Sequence, residues 1–146
     1  MTGVLTHSPA RIIAQLMVDL GVAGGVGTGT WPVFPNTLQD RPDNAIRVKD
    51  TVGIDRGRFM GSGQRQENEG FQVMVRAGKQ ATGWTRANLI ATTLDTEVRA
   101  DSVTVESTTY LIDGISRSGV MSLGAEKTDS KRELFTFNGT ITLIQV

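Results

Sequence analysis

The sequence predicts an α+β domain in which two amphipathic helices pack on a mainly antiparallel sheet, in the order α-β-β-β-α-β-β-β, with a long arm between two strands. Three observations carry that expectation. Apolar residues recur at three- and four-residue spacing from Ile12 to Leu20 and again from Trp84 to Val98. Apolar and polar residues alternate across 45–51, 71–77 and 135–143, as in half-buried strands. Between the first two of these strands lies a long polar stretch, and excursions of that length in compact domains usually serve binding.

The first helix begins at Ser8-Pro9, a capping residue followed by a proline whose missing N–H costs nothing at the first helical position. Ile12, Ile13, Leu16, Met17 and Leu20 form its stripe, and Gly21 stands where a helix commonly ends. Gly21 to Thr30, GVAGGVGTGT, reads as a flexible link. Trp31-Pro32-Val33-Phe34-Pro35 is a short strand that its prolines confine to an edge or a strand end, with Trp31 or Phe34 plugging the core.

In the next strand Ile46 and Val48 point one way and Arg47 and Lys49 the other, so one sheet face is either wet or in contact with a partner. The stretch 53–70 holds five glycines, Arg56, Arg58, Arg65 and little apolar material beyond Phe59-Met60. On its own it cannot offset the entropy of ordering. Phe71, Val73, Val75 and Ala77 then share a face opposite Gln72, Met74 and Arg76, giving a strand that pairs with the preceding one.

Trp84, Ala87, Ile90, Ala91, Leu94 and Val98 place the second helix against the sheet, with Arg86, Asn88, Thr92, Asp95 and Arg99 facing away. Ser102 to Glu106 and Thr109 to Ser116 form a hairpin turning near Ser107-Thr108. Gly119 to Arg132 reads as a polar loop. Phe135, Phe137, Gly139, Ile141 and Leu143 keep one alternation across Asn138-Gly139, so that dipeptide lies within a single bent strand rather than a hairpin turn.

At 146 residues the chain forms one domain, 1–146, large enough to bury a core without metal or disulfide. Its 15 basic residues balance 15 acidic ones, which disfavours nucleic acid as the main partner, and cysteine is absent. No apolar run approaches the roughly 18 residues of a membrane span. The segment Met1 to His7 lacks a charged leader followed by an apolar block, so a soluble, non-secreted chain is expected. Seventeen glycines and 5% aromatics suit a modest core rich in turns.

Chemical motifs are sparse. Gly24-Gly25-Val26-Gly27-Thr28-Gly29 follows a helix, fails dinucleotide-loop spacing and lacks the lysine of a phosphate loop. His7 has no base or metal partner nearby in sequence and is read as solvent-facing. The pairs Asp40/Asp43, Asp50/Asp55, Glu67/Glu69 and Asp95/Glu97 match no metal-site spacing, and the Asn138-Gly139-Thr140 sequon lies inside a strand. No catalytic residue, cofactor or metal site is assigned. The positive signal is the arm 55–69, read as a contact segment: Asp55, Arg56, Arg58, Phe59, Met60, Arg65, Glu67 and Glu69, together with Arg76, are the candidate interface residues. Arginine forks would meet carboxylates on a neighbouring subunit, with Phe59-Met60 as an anchor. A plain solvated loop and a DNA-facing loop are the competing readings.

The run Pro42-Asp43-Asn44-Ala45-Ile46-Arg47-Val48-Lys49-Asp50-Thr51-Val52-Gly53, then Phe71 to Gly78, then the Ala87/Ile90/Leu94 helix, resembles the tail terminator and minor capsid proteins of long-tailed bacteriophages, of the lambda tail terminator type. Leu123-Gly124 and Phe135-Thr136-Phe137-Asn138 are similar to the end of that pattern. The resemblance implies a non-enzymatic virion protein, made in the host cytoplasm. Its implied role is to form a hexameric ring that caps the tail tube, stops its polymerisation and offers a surface for head joining. The implied partners are copies of itself, the tail tube protein and a head–tail connector protein, with DNA passing through the ring unspecifically and no membrane. The resemblance also leaves room for a head-side neck adaptor and, more remotely, a small hydrolase or ligand-binding domain.

Overall fold

Ser8 opens the first helix by accepting a hydrogen bond from the Arg11 N–H at 3.3 Å, and Pro9 takes the first helical position. In this computed structural model, which describes residues 5–58, 65–98, 101–126 and 131–145, α1 (Pro9–Asp19) buries Ala10, Ile12, Ile13, Ala14, Leu16 and Met17. It stops at Gly21, whose φ of 78° lets the chain reverse: the Gly21 N–H donates to Val18 and the Val22 N–H to Met17, both at 3.1 Å. Two carbonyls that the helix end would leave bare are thereby satisfied.

Strands β1 (Val33–Pro35), β2 (Ala45–Arg58), β3 (Arg65–Ala77), β4 (Ser102–Val105), β5 (Thr108–Arg117), β6 (Met121–Ala125) and β7 (Glu133–Gln145) form one sheet. Their order is β1-β2-β3-β7-β5-β4, with β6 also paired to β7; only β1 and β2 run parallel. Helix α2 (Gln80–Thr96) connects β3 to β4 and packs on β3, β5 and β7. The α+β class and the mainly antiparallel sheet are those expected for the chain. Helix α1 touches both β1 and β4, the two ends of the strand order, so the sheet curls around it.

One face of the sheet and both helices share a single core, in which Ile46, Val48, Phe71, Val73, Val75, Phe135, Phe137, Ile141 and Leu143 meet the α1 stripe and Ala87, Ile90, Ala91 and Leu94. Phe71 and Phe137 meet edge to face at 6.5 Å. Asn138-Gly139 lies within β7, and Gly139 has a packing reason: a Cβ there would stand 2.6 Å from the Phe71 ring and 2.5 Å from the Ser116 carbonyl oxygen.

Several local readings change. The glycine-rich 21–30 stretch is an ordered turn rather than a flexible link. Gly24 donates to the Trp31 carbonyl at 2.9 Å, Val33 to Gly25 at 3.0 Å and Gly27 to Val33 at 2.9 Å. Trp31, only 7% exposed, plugs the core beneath it, while the Arg86 guanidinium lies 5.0 Å from its ring and donates to the Val22 carbonyl. Tertiary partners, absent from any local pattern, order this loop. Met121–Ala125, inside the stretch read as a polar loop, is strand β6, because β7 offers it an open ladder edge. The two-residue hairpin turn is Glu106-Ser107, with Glu106 at φ 57°, one residue earlier than expected.

Trp84 leaves the buried stripe and is 46% exposed. Gly83 takes the closest approach instead, since a Cβ there would reach within 2.5 Å of Phe135, and Trp84 rests on the rim of that same ring at 6.1 Å. His7 is not solvated: its side chain is 16% exposed, and the Tyr110 hydroxyl accepts its backbone N–H at 2.9 Å while lying 2.7 Å from Nδ1. That hydroxyl and Nδ1 share a hydrogen bond whose direction follows the ring tautomer, and Nε2 lies 3.4 Å from Glu106.

The opposite side of the α1 entrance is held by Asp50 of β2. One carboxylate oxygen accepts the Ala10 N–H at 2.8 Å and the other accepts from Asn36 Nδ2 at 3.1 Å. The Asp50 charge also faces the positive end of the helix dipole. Asp50→Ala is expected to lower stability by about 1–2 kcal/mol. Asp19→Ala, at the exposed far end of the helix, should change it by less than about 0.5 kcal/mol. Urea unfolding midpoints of the two variants check the contrast.

Candidate functional site

Two regions remain after the core is accounted for: the β2–β3 hairpin and the sheet face turned away from the helices. In the hairpin, β2 and β3 stay paired from Ala45↔Arg76 out to Arg58↔Arg65, with irregularities after Thr51 and after Asp55. The segment read as an unstructured arm is therefore strand over much of its length, because backbone pairing needs no apolar side chains. The β3–β7 ladder ends at Glu67↔Leu143, so the Arg58↔Arg65 pair lies beyond the last β7 partner. Val52, at the first irregularity, is 94% exposed.

The candidate interface residues separate on this frame. Asp55, Arg56 and Arg58 fall on β2 and Arg65, Glu67 and Glu69 on β3, with Asp55 opposite Glu67 and Glu69 opposite Ile141. Phe59 and Met60 lie outside the described residues. Arg76 stands apart at the other end of β3. Alternation turns it away from the core, yet it is only 2% exposed, since the segment before β2 folds over that face. Its Nη2 donates to the Pro42 carbonyl at 2.6 Å, Nε to the Asp43 carbonyl at 3.2 Å, and Nη1 to Glu126 at 3.4 Å. In the single chain its visible role is internal, tying residues 42 and 43 to the sheet.

Around Arg76 the outer face carries an ionic network that the linear sequence did not announce. Arg132 pairs with Glu126, donates to Asp40 Oδ1 at 3.0 Å and to the Asp40 carbonyl at 2.6 Å, and lies 3.5 Å from Asp43. Hydrogen bonding to Asp40 and the Glu126 charge raise the Arg132 pKa despite desolvation. Arg47 belongs to the same face but has no carboxylate: Nη2 donates to Gln72 at 3.1 Å and Nε is buried without a partner. Burial lowers its pKa. With Leu38, Asp40, Met74, Arg76, Glu126 and Arg132 it lines a cavity of about 300 Å³. These residues come from separate parts of the chain, and the outward placement of Arg47, Lys49, Gln72 and Arg76 on their strands was the hint of a polar face.

A larger hollow of about 700 Å³ lies between the glycine-rich turn and the start of α2. Its ionisable lining groups are Asp43 and Lys79, and Asp43 already pairs with Arg41 at 3.1 Å. No nucleophile–base pair converges there. Among the described residues no group of three His, Cys, Asp or Glu could hold a metal ion, and no helix is long and apolar enough to cross a membrane.

The sequence profile described as bacteriophage tail terminator protein matches residues 17–144. The chain belongs to this family. A tail terminator is a structural component of the phage tail, and the match begins within α1, covers β1 to β6 and α2, and ends within β7. No curated protein sequence matches the chain. One similar solved chain is 16% identical, with 95% of this chain and 96% of that one covered and a TM-score of 0.48.

Arg76→Ala in this tail terminator should cost about 3 kcal/mol, because it leaves Glu126 and two carbonyls short of a buried donor. Arg41→Ala should change stability by less than about 1 kcal/mol, since its partnership with Asp43 is solvent-exposed. Chemical denaturation of both variants, followed by tryptophan fluorescence, separates the two outcomes.

Proposed function

We propose that this chain ends the phage tail by closing into a ring, a hexamer in its simplest form, on the last layer of the tail tube. There it stops further addition of tube protein and presents the surface to which the head connector docks. The observation that carries the reading is the family match over residues 17–144. The architecture is compatible with it, because a head-to-tail ring requires two different complementary surfaces on each protomer. The paired β2–β3 extension and the outer sheet face are two candidates for them. A formal net charge of zero lets like copies approach without long-range repulsion. Phage DNA would pass through the ring unspecifically.

In this reading the residues from Asp55 to Glu69 make the contact to the adjacent subunit or to the tube. Loss of the protein in the phage that encodes it is expected to yield tails of uncontrolled length that carry no head, scored by negative-stain microscopy of lysates. Normal joined virions would refute the terminator role. At residue level, protease cleavage within 55–69 should be at least tenfold slower in assembled tails than in the free protein. Equal cleavage in the two states would remove the hairpin from the contact.

A further inference from the structure

The strand register puts Val33, Ile46, Val75, Phe135 and Ser122 in one row across the sheet, so at that level β1 and β6 are its two edges. The β1 edge is covered by the glycine-rich turn, where Val33 donates to Gly25 and accepts from Gly27. The β6 edge has β7 on one side and, among the described residues, no strand on the other. Edge strands are commonly kept from pairing by charge or proline. The β6 sequence, Met121-Ser122-Leu123-Gly124-Ala125, carries neither. Met121 is 55% exposed and Leu123 47%. The irregularity between Ser122 and Gly124 leaves Leu123 outside the ladder, the kind of bulge that re-aims a side chain. Met121 and Leu123 thus form an apolar knob on an open strand.

A groove of about 350 Å³ is lined by Trp31, Ala81, Thr82, Thr85, Arg86 and Leu89, the last 45% exposed. Its lining cation is engaged, since Arg86 stacks on Trp31 and donates to the Val22 carbonyl. A Met and a Leu side chain together hold about eight heavy atoms and fill roughly 240 Å³ at the volume of a liquid water each. The groove has that room. It lies on the flank of α2 toward Trp31, whereas Trp84 and Asp95 mark the flank toward Phe135 and Arg117, where β6 runs. Four strand spacings of about 4.8 Å separate β6 from β1 by roughly 19 Å. A chain's own knob therefore does not reach its own groove.

We propose that the β6 edge of one copy of this chain docks on the α2 groove of a second copy, with Met121 and Leu123 seated against Leu89 and the rim of Trp31. Charge selects this occupant. Burying β6 against the groove strands no ion, because β6 has none and Arg86 keeps its partners. The outer face around Arg76 and Arg132 carries ions whose removal from water is costly. Thr82 and Thr85, exposed on the groove wall, offer hydroxyls to the unpaired backbone groups of the strand. The two surfaces differ and sit on opposite flanks, so the contact runs head to tail and closes where the rotation permits. It rests on the ring reading above and deepens it: subunits meet through these two surfaces, which leaves 55–69 to the tube.

Cross-linking tests the docking, because the chain has no cysteine. Tails are purified carrying a chain with both Leu89→Cys and Met121→Cys, and treated with a short bis-maleimide. They should give a ladder of linked oligomers at least tenfold stronger than tails carrying either single substitution. A second pair, Thr85→Cys with Leu123→Cys, should give the same ladder, and both pairs lie at exposed positions, so the circular dichroism spectrum should stay unchanged. Linked dimers from Met121→Cys alone would show edge meeting edge and overturn the docking. So would tails on which neither cysteine pair gives a ladder while an amine-reactive cross-linker gives one with the unmodified protein, a result that leaves the ring intact. Absence of a ladder with both reagents overturns the ring as well.

Discussion

The structure depends on how α1 enters the curled sheet. That helix contacts β1 and β4, strands that sit at opposite ends of the strand order. Its entrance is clamped from both sides. Asp50 of β2 holds the Ala10 N–H at 2.8 Å, and Tyr110 of β5 holds the His7 N–H at 2.9 Å. Without those hydrogen bonds the apolar stripe from Ile12 to Met17 could still collapse onto the sheet, since burial is not directional. The polar pair at its start specifies the angle at which it does so.

The two faces of the sheet are stabilised by different physics. On the helix side, close-packed Phe71, Phe137, Val73 and Val75 exclude water. On the other side, Arg76 is equally buried but lies among carbonyls and Glu126. Replacing such a network with apolar residues is often neutral or stabilising, whereas removing one member is costly. Its structural value is positional: Arg76 and Arg132 lead residues 40–43 across the outer face, and that path makes the cavity around Arg47. The outer face thus becomes a surface with its own shape and charge.

A second set of contacts joins α2 to its surroundings through arginines that the helical pattern assigned to solvent or that lie outside the helix. Arg86 reaches the Val22 carbonyl and stacks on Trp31, which orders the glycine-rich turn. Arg117 of β5 reaches back to the Ala91 carbonyl at 3.1 Å and to Asp95 at 2.6 Å, placing a cation near the negative end of the helix dipole. Both arginines place their heads on polar groups of other elements, a placement that a binary apolar–polar pattern does not register.

By itself the sequence determined the elements whose information is periodic and local. The stripe from Ile12 to Leu20, the Ser8-Pro9 start and Gly21 stop, the alternation around Ile46 and Val48, and the uninterrupted face from Phe135 to Leu143 each encode one face of one element. That is enough for the α+β class. Tertiary structure alone decided what depends on partners distant in the chain. It made a strand of Met121–Ala125 because β7 had an unpaired edge, ordered the glycine-rich turn because Trp31 and Arg86 closed on it, and carried β2 and β3 out to Arg58 and Arg65 by backbone pairing. It also buried Arg76 and half-buried His7, whose hydrogen-bond partners lie between 33 and 103 residues away. Periodicity records which side of an element is apolar; it carries no information about which polar groups from elsewhere will meet its other side.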